Sequence, residues 1–172
     1  MTKYDKYLLY SNKHIFLRGI IMKKYEINSN TLAIIGIDDS NSKVIEGNKK
    51  YDIEDNSYQV MENSCSYFGS SLKGRVEGTK KMMGINYKVP IIIEESSDII
   101  FFPLAELESN KCVWISLNWF DRVENKDGKT YILFKNGKKM LTKISKYKIE
   151  NQVLRAAKLN YLLNNRKKTK NY

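Results

Sequence analysis

Cysteine and histidine are scarce in this chain of 172 residues, which carries only Cys65, Cys112 and His14. A zinc centre draws on about four such ligands at short paired spacings, so these three scattered residues exclude one. Two distant thiols default to buried, reduced cysteines, and sequence alone leaves one disulfide open. A lone histidine gives poor support to histidine-based catalysis. Long apolar runs are missing as well. The longest, such as Ile99-Ile100-Phe101-Phe102, falls far short of the roughly twenty residues of a membrane span. Tyr7-Leu8-Leu9-Tyr10 runs straight into Ser11, Asn12 and Lys13, too short an apolar stretch for a secretory signal. The expectation is a cytoplasmic protein with no membrane partner, no metal and no cofactor. Internal repeats are also lacking, and the length suits one domain able to bury a core.

What the chain has in excess is positive charge: 30 Lys and Arg against 19 Asp and Glu, a formal +11. That balance favours an anionic partner, nucleic acid above all. Lys, Asn, Ile and Tyr are abundant throughout, as an AT-rich genome supplies them, so clustering informs more than the total. The clustering is uneven. Residues 38–62 are acidic on balance, with Asp38, Asp39, Glu46, Asp52, Glu54, Asp55 and Glu62. After Glu150 come Arg155, Lys158, Arg166, Lys167, Lys168 and Lys170 with no acid between them. Residues 1–21 read as an N-terminal extension, a loose arm or a stretch upstream of a true start at Met22. Residues 22–165 read as a single domain and residues 166–172 as a basic tail.

The most informative stretch runs from Cys65 to Pro90. Gly69, Gly74, Gly78 and Gly84 lie among the hydroxyls of Ser70, Ser71 and Thr79 and the cations Lys73, Arg75, Lys80, Lys81 and Lys88, with Glu77 the one acid. Glycine admits close backbone approach, and hydroxyls, amides and cations all donate to phosphate oxygens. A nucleotide-binding loop is not the answer. Gly69 and Gly74 have the spacing, but Arg75 and Val76 stand where Lys and a magnesium-holding hydroxyl are required. The plainer alternative is a glycine-rich surface loop with solvated lysines.

Secondary-structure signals alternate. Thr31–Ile37 reads as a strand closed by a turn cluster, and Lys43–Glu46 and Lys49–Ile53 extend the same sheet. Asp55-Asn56-Ser57 offers a helix cap, followed by Tyr58, Met61, Cys65 and Phe68 at helical spacing. A second helix, broken by its glycines, spans Ser71–Met83. Strands return at Ile91–Ile93, Ile99–Phe102 and Cys112–Ile115. A three-strand meander follows from Trp119, with Asp127-Gly128 and Asn136-Gly137 as turns and Lys138–Ile144 as the return strand. Tyr147–Leu163 has helical spacing. The sum is an α+β fold, mostly antiparallel, with a central helical glycine-rich segment and a C-terminal helix.

Two other chemistries need weighing. Asp98 with Glu124-Asn125-Lys126 faintly matches the carboxylate-and-lysine pattern of a metal-dependent nuclease. Trp114 and Trp119 with Tyr131 and Phe134 could instead offer bases a stacking platform, as in a basic RNA-binding module, although packing the sheet is the plainer role.

Ser64-Cys65, Phe68-Gly69-Ser70-Ser71, Gly74-Arg75, Gly78-Thr79, Lys88 with Pro90-Ile91, Phe102-Pro103 and Cys112 with Trp114-Ile115-Ser116 together resemble the ComK family of bacterial competence transcription factors. Asn136-Gly137, Gln152-Val153, Arg155, Ala157 and Leu159 continue the likeness, in order, over Lys24 to Asn165. The resemblance implies an activator of DNA-uptake and recombination genes, bound to paired A·T-rich boxes through the minor groove as a homodimer or higher oligomer. RNA polymerase is a further partner consistent with that role. A narrow, negative A·T minor groove attracts inserted cations. Residue chemistry in the matching block then marks Ser70, Ser71, Lys73, Arg75, Thr79, Lys80, Lys81 and Lys88 as the DNA-contacting set, with Arg75 entering the groove and the others on phosphates. Two departures stand out. Leu117-Asn118-Trp119 follow Trp-Ile-Ser where family members tend to carry histidine. No docking motif for a proteolytic adaptor follows the last helix, so another mode of regulation is expected.

Overall fold

A computed structural model describes residues 20–106 and 109–169. The expectations placed on residues 1–19 and 170–172, His14 included, lie outside these residues. The elements in order are β1 (Ile20–Met22), β2 (Thr31–Gly36), β3 (Ser42–Glu46), β4 (Lys49–Ile53), α1 (Ser57–Tyr67), α2 (Leu72–Met83), β5 (Ile91–Glu94), β6 (Ile99–Pro103), β7 (Val113–Ser116), β8 (Phe120–Lys126), β9 (Lys129–Phe134), β10 (Lys139–Thr142) and α3 (Lys146–Thr169). The fold is α+β. No described helix is long and apolar enough to cross a membrane.

A seven-stranded sheet in the order β1-β4-β3-β2-β7-β6-β5 forms the centre. All its pairings are antiparallel except β1 beside β4. Strand β1 starts at Ile20, so residues upstream of Met22 join the sheet. The apolar runs Ile91–Ile93 and Ile99–Phe102 show no polar alternation, and the structure gives the reason. Ile91, Ile93 and Phe101 face one core with Val60, Met61 and Cys65 of α1 and Leu72 of α2. Ile92, Ile100 and Phe102 face a second core with Ile132 and Phe134 of β9 and Ile149, Ala156 and Leu159 of α3. A sheet covered on both faces needs apolar residues at successive positions.

The three-stranded sheet β10-β9-β8 is the predicted meander. Asp127 and Gly128 both take positive φ, 52° and 70°, the two-residue turn whose twist suits a hairpin. Two bonds tie this sheet to the large one: Trp119 Nε1 donates to the Ser29 carbonyl at 2.7 Å and Asn136 Nδ2 to the Gly47 carbonyl at 3.2 Å. Cys65 and Cys112 are buried free thiols. Burial pushes each up to about 12, in Cys65 despite the nearby Arg75 charge.

Helix α3 is longer than its periodicity predicts, 24 residues reaching Thr169. The reason is a long-range anchor. Lys167 Nζ reaches Asp98 Oδ1 at 2.7 Å, beyond the last buried apolar residue, Leu163.

Gly36 closes β2 where a side chain has no room. A Cβ there would stand 2.6 Å from Lys111 Cα and 2.7 Å from Ser57 Oγ, besides the Asn110 carbonyl oxygen that Ser57 bonds. Gly36→Ala is expected to cost about 1–3 kcal/mol through overpacking. Urea denaturation of the variant measures it, and an unchanged midpoint would contradict the packing described.

Candidate nucleic-acid interface

The glycine-rich segment folds as the end of α1, a tight turn and all of α2. Asn56 caps α1, its side chain accepting the Gln59 amide. At the other end Gly69, with φ 73°, sends its N–H to the Ser66 carbonyl while Ser70 N–H reaches the Cys65 carbonyl. This pair of bonds with a left-handed glycine is the Schellman termination. Gly69 is therefore explained by the turn it makes.

Helix α2 then begins with two of its first-turn amides capped by side chains. Ser71 Oγ accepts the Gly74 amide at 3.0 Å and Glu62 Oε2 accepts the Leu72 amide at 2.9 Å. Because a carboxylate of α1 already occupies the positive end of α2, that terminus is not a vacant phosphate cradle. Lys80 and Lys81 in the last turn favour the opposite end, and Gly84 closes it at φ 67° with its N–H on the Lys80 carbonyl. Leu72, Thr79 and Met83 are buried and Val76 packs against the core. Spacings of four, three and four residues put them on one face. That stripe and the two filled ends outweigh the glycine penalty, so α2 is one unbroken helix of 12 residues.

The structure sorts the predicted DNA-facing residues sharply. Lys73 and Lys81 are exposed and Lys80 is half-buried, and no hydrogen bond or ion pair among the described residues engages the side chain of any of the three. Ser70 is half-buried and Ser71 exposed, Ser71 with one lone pair on the Gly74 amide and its O–H left to donate. Thr79 is 2% exposed, so it faces the core and offers no phosphate contact. Lys88 pairs with Glu106 at 3.4 Å. Arg75, expected as a free groove-entering cation, lies along the flank of α2. Its side chain is 17% exposed, Nη1 sits 3.1 Å from Glu95 Oε1, and the buried Nε has no partner among the described residues.

Two exposed glycines complete the outer face of α2. Nothing lies within 4 Å of a Cβ built on Gly78, and Gly74 would meet only the Ser71 and Ser70 hydroxyls. Gly78 is thus a helix-interior glycine that the fold does not require. A bare backbone flanked by unpaired lysines suits close approach by a polyanion.

The sequence leaves the two basic segments far apart, and the fold joins them. Helix α2 covers the edge strand β5 and packs on α1 and α3. Met83 of α2 shares a core with Ala156, Leu159 and Leu163 of α3. Arg155 of α3 donates to the Tyr87 carbonyl at 3.0 Å and stacks over the Tyr87 ring at 4.7 Å. The β5–β6 turn holds both helices, Glu95 taking Arg75 and Asp98 taking Lys167. Glu94 organises that turn; hydrogen bonds from Ser96 and Ser97 hold its carboxyl down to about 2. Arg155 and Lys167 were legible in the sequence as cations, but their contacts beside α2, with Tyr87 and with the turn that also holds Arg75, were not.

The alternative chemistries find no matching geometry. Asp98 closes the β5–β6 turn of the large sheet and pairs with Lys167, while Glu124 stands on β8 of the small sheet beside Arg122 and Lys139. No group of three or more His, Cys, Asp or Glu among the described residues could hold a metal ion. Trp114 and Phe134 are buried and cannot stack on bases; Trp119 is half-buried against the second core with its indole N–H on the Ser29 carbonyl, and Tyr131 is half-buried on β9.

Gly78→Ala should raise folding stability by about 1 kcal/mol, since it places alanine in an open helix interior, and should weaken duplex binding. Thermal melts and binding isotherms on the same preparation check both signs. A stabilised variant binding as well as the parent would contradict a role for the bare backbone.

The family model described as ComK protein matches residues 22–168. The competence transcription factor of Bacillus subtilis (strain 168) is 34% identical over 142 residues, covering 79% of this chain and 73% of that protein. No solved structure matches.

Proposed function

The chain belongs to the ComK family of competence transcription factors, and from that premise we propose that it is a sequence-specific DNA-binding activator of competence genes. It works in the cytoplasm on promoter DNA, reads A·T-rich boxes through the minor groove and binds them as an oligomer. One observation carries the reading: Lys73, Lys80 and Lys81 stand unpaired beside the bare backbone of Gly74 and Gly78 on the outer face of α2.

Dimensions divide the labour. A helix with side chains is about 10–12 Å across, whereas the minor groove is about 6 Å wide. Helix α2 therefore rests on the phosphate walls, its lysines on the backbone, and only a long side chain enters. Arg75 is that side chain, once it exchanges Glu95 for the groove. Glu95 holds it in the free protein, where the pair is reachable by solvent at the carboxylate end. A narrow A·T groove carries enough negative potential to compete for a guanidinium held by one surface carboxylate. Discrimination in this groove is mainly A·T against G·C, so the spacing of two boxes supplies the remaining specificity.

Binding of purified protein to duplexes with paired A·T tracts, against G·C controls near physiological salt, tests the reading. Replacing Lys73, Lys80 and Lys81 together by Gln should weaken all duplexes and flatten the log–log salt slope by roughly 2.7, about 0.9 for each phosphate no longer neutralised. Arg75→Ala should cost about 1–3 kcal/mol and blunt the A·T preference. Glu95→Gln should tighten A·T duplexes more than G·C ones. Equal affinity for every duplex, unaltered by Arg75→Ala, would refute the assignment.

A further inference from the structure

Helix α3 has two faces of different character. Ile149, Gln152, Ala156, Leu159 and Leu163 are buried, and Lys167 pins the far end to Asp98, so the helix cannot rotate its outer side inward. On that outer side Tyr147 is 73% exposed, Leu154 67% and Tyr161 65%. Single exposed apolar residues are ordinary, but these three recur every seven residues, which is two helical turns, and form a seam about 21 Å long.

The charges along the seam are self-complementary. Glu150 lies four residues before Leu154 and Lys158 four residues after it, while Tyr147 and Tyr161 lie seven before and seven after. Lys158 is exposed without a partner among the described residues, and Glu150 holds only the exposed i,i+4 pair with Lys146 at 3.7 Å. Ala157, exposed between them, lets another backbone approach. If a second α3 is laid antiparallel with Leu154 on Leu154, each Tyr147 meets the other copy's Tyr161 and each Glu150 meets the other copy's Lys158. This is the isologous arrangement of a two-fold dimer, in which one patch pairs with itself. A seam holding one carboxylate and one ammonium is a poor surface for a polyanion, in contrast to the outer face of α2.

We propose that a second copy of this chain packs antiparallel on the outer face of α3, about a two-fold axis at Leu154. This deepens the oligomer in the proposed function, yet its test needs no DNA. A seam of this length belongs with weak, concentration-dependent interfaces.

Sedimentation equilibrium of the full chain from low to high micromolar concentration is the test, with circular dichroism to show that each exposed-site variant stays folded. The parent should dimerise with rising concentration. Glu150→Lys places lysine opposite Lys158 at both ends of the seam, and Lys158→Glu places glutamate opposite Glu150. Each alone should therefore weaken association about tenfold or more. Mixed in equal amounts, the two variants should form a heterodimer, because every facing pair is then opposite in charge, and one chain carrying both changes should dimerise again. A parent monomeric throughout, single variants associating like the parent, or a mixture that stays monomeric would overturn the proposal. Loss of A·T binding with dimerisation intact would count against the DNA reading alone.

Discussion

The carboxylate of Glu62 on the Leu72 amide is the contact on which the outer face of α2 depends. It joins α1 to α2 across the left-handed turn at Gly69 and supplies an acceptor that an isolated helix start would seek from water. With Ser71 capping the Gly74 amide, α2 starts at a fixed point and in a fixed direction. Its buried stripe then sets the rotation, Leu72, Val76, Thr79 and Met83 inward. Lys73, Lys81, Gly74 and Gly78 must point outward as a consequence. The chemistry of the interface is thus a by-product of how the core claims the opposite side.

The same logic acts on the whole domain. A central sheet buried on both faces leaves few surfaces free for function. Its β5 edge is covered by α2, one face by α1 and α2, and the other by α3 and the small sheet. What remains outward on the helices divides into two kinds: a cationic, glycine-bearing face on α2 and an apolar, charge-balanced seam on α3. The acidic β5–β6 turn connects them by pairing Arg75 and Lys167.

Much of this was legible in the sequence where the signal is local. The strands from β2 onward, the cap within Asp55-Asn56-Ser57, the meander with its Asp127-Gly128 turn and the start of α3 follow from period, caps and turn residues. What escaped depends on partners far along the chain. Arg75 reads as a free cation until Glu95, twenty residues on, is brought beside it, and Lys88 reads the same way until Glu106 arrives. The end of α3 is fixed by Asp98, 69 residues away from Lys167. Thr79 is a different case. Its inward position was available in the spacing Leu72, Val76, Thr79, Met83, but its hydroxyl and basic neighbours argued more loudly for phosphate. Glycine propensity likewise argued for a broken α2, and tertiary burial with filled caps overrode it.

The central claim is that the lysines of α2 lie against DNA. Acylation of lysine amines, followed residue by residue by mass spectrometry with and without a saturating A·T-rich duplex, tests it most directly. The account predicts that Lys73, Lys80 and Lys81 become protected while Lys126 and Lys139 of the small sheet stay reactive. Unchanged reactivity at Lys73, Lys80 and Lys81 on a saturated duplex, with protection elsewhere, would contradict it.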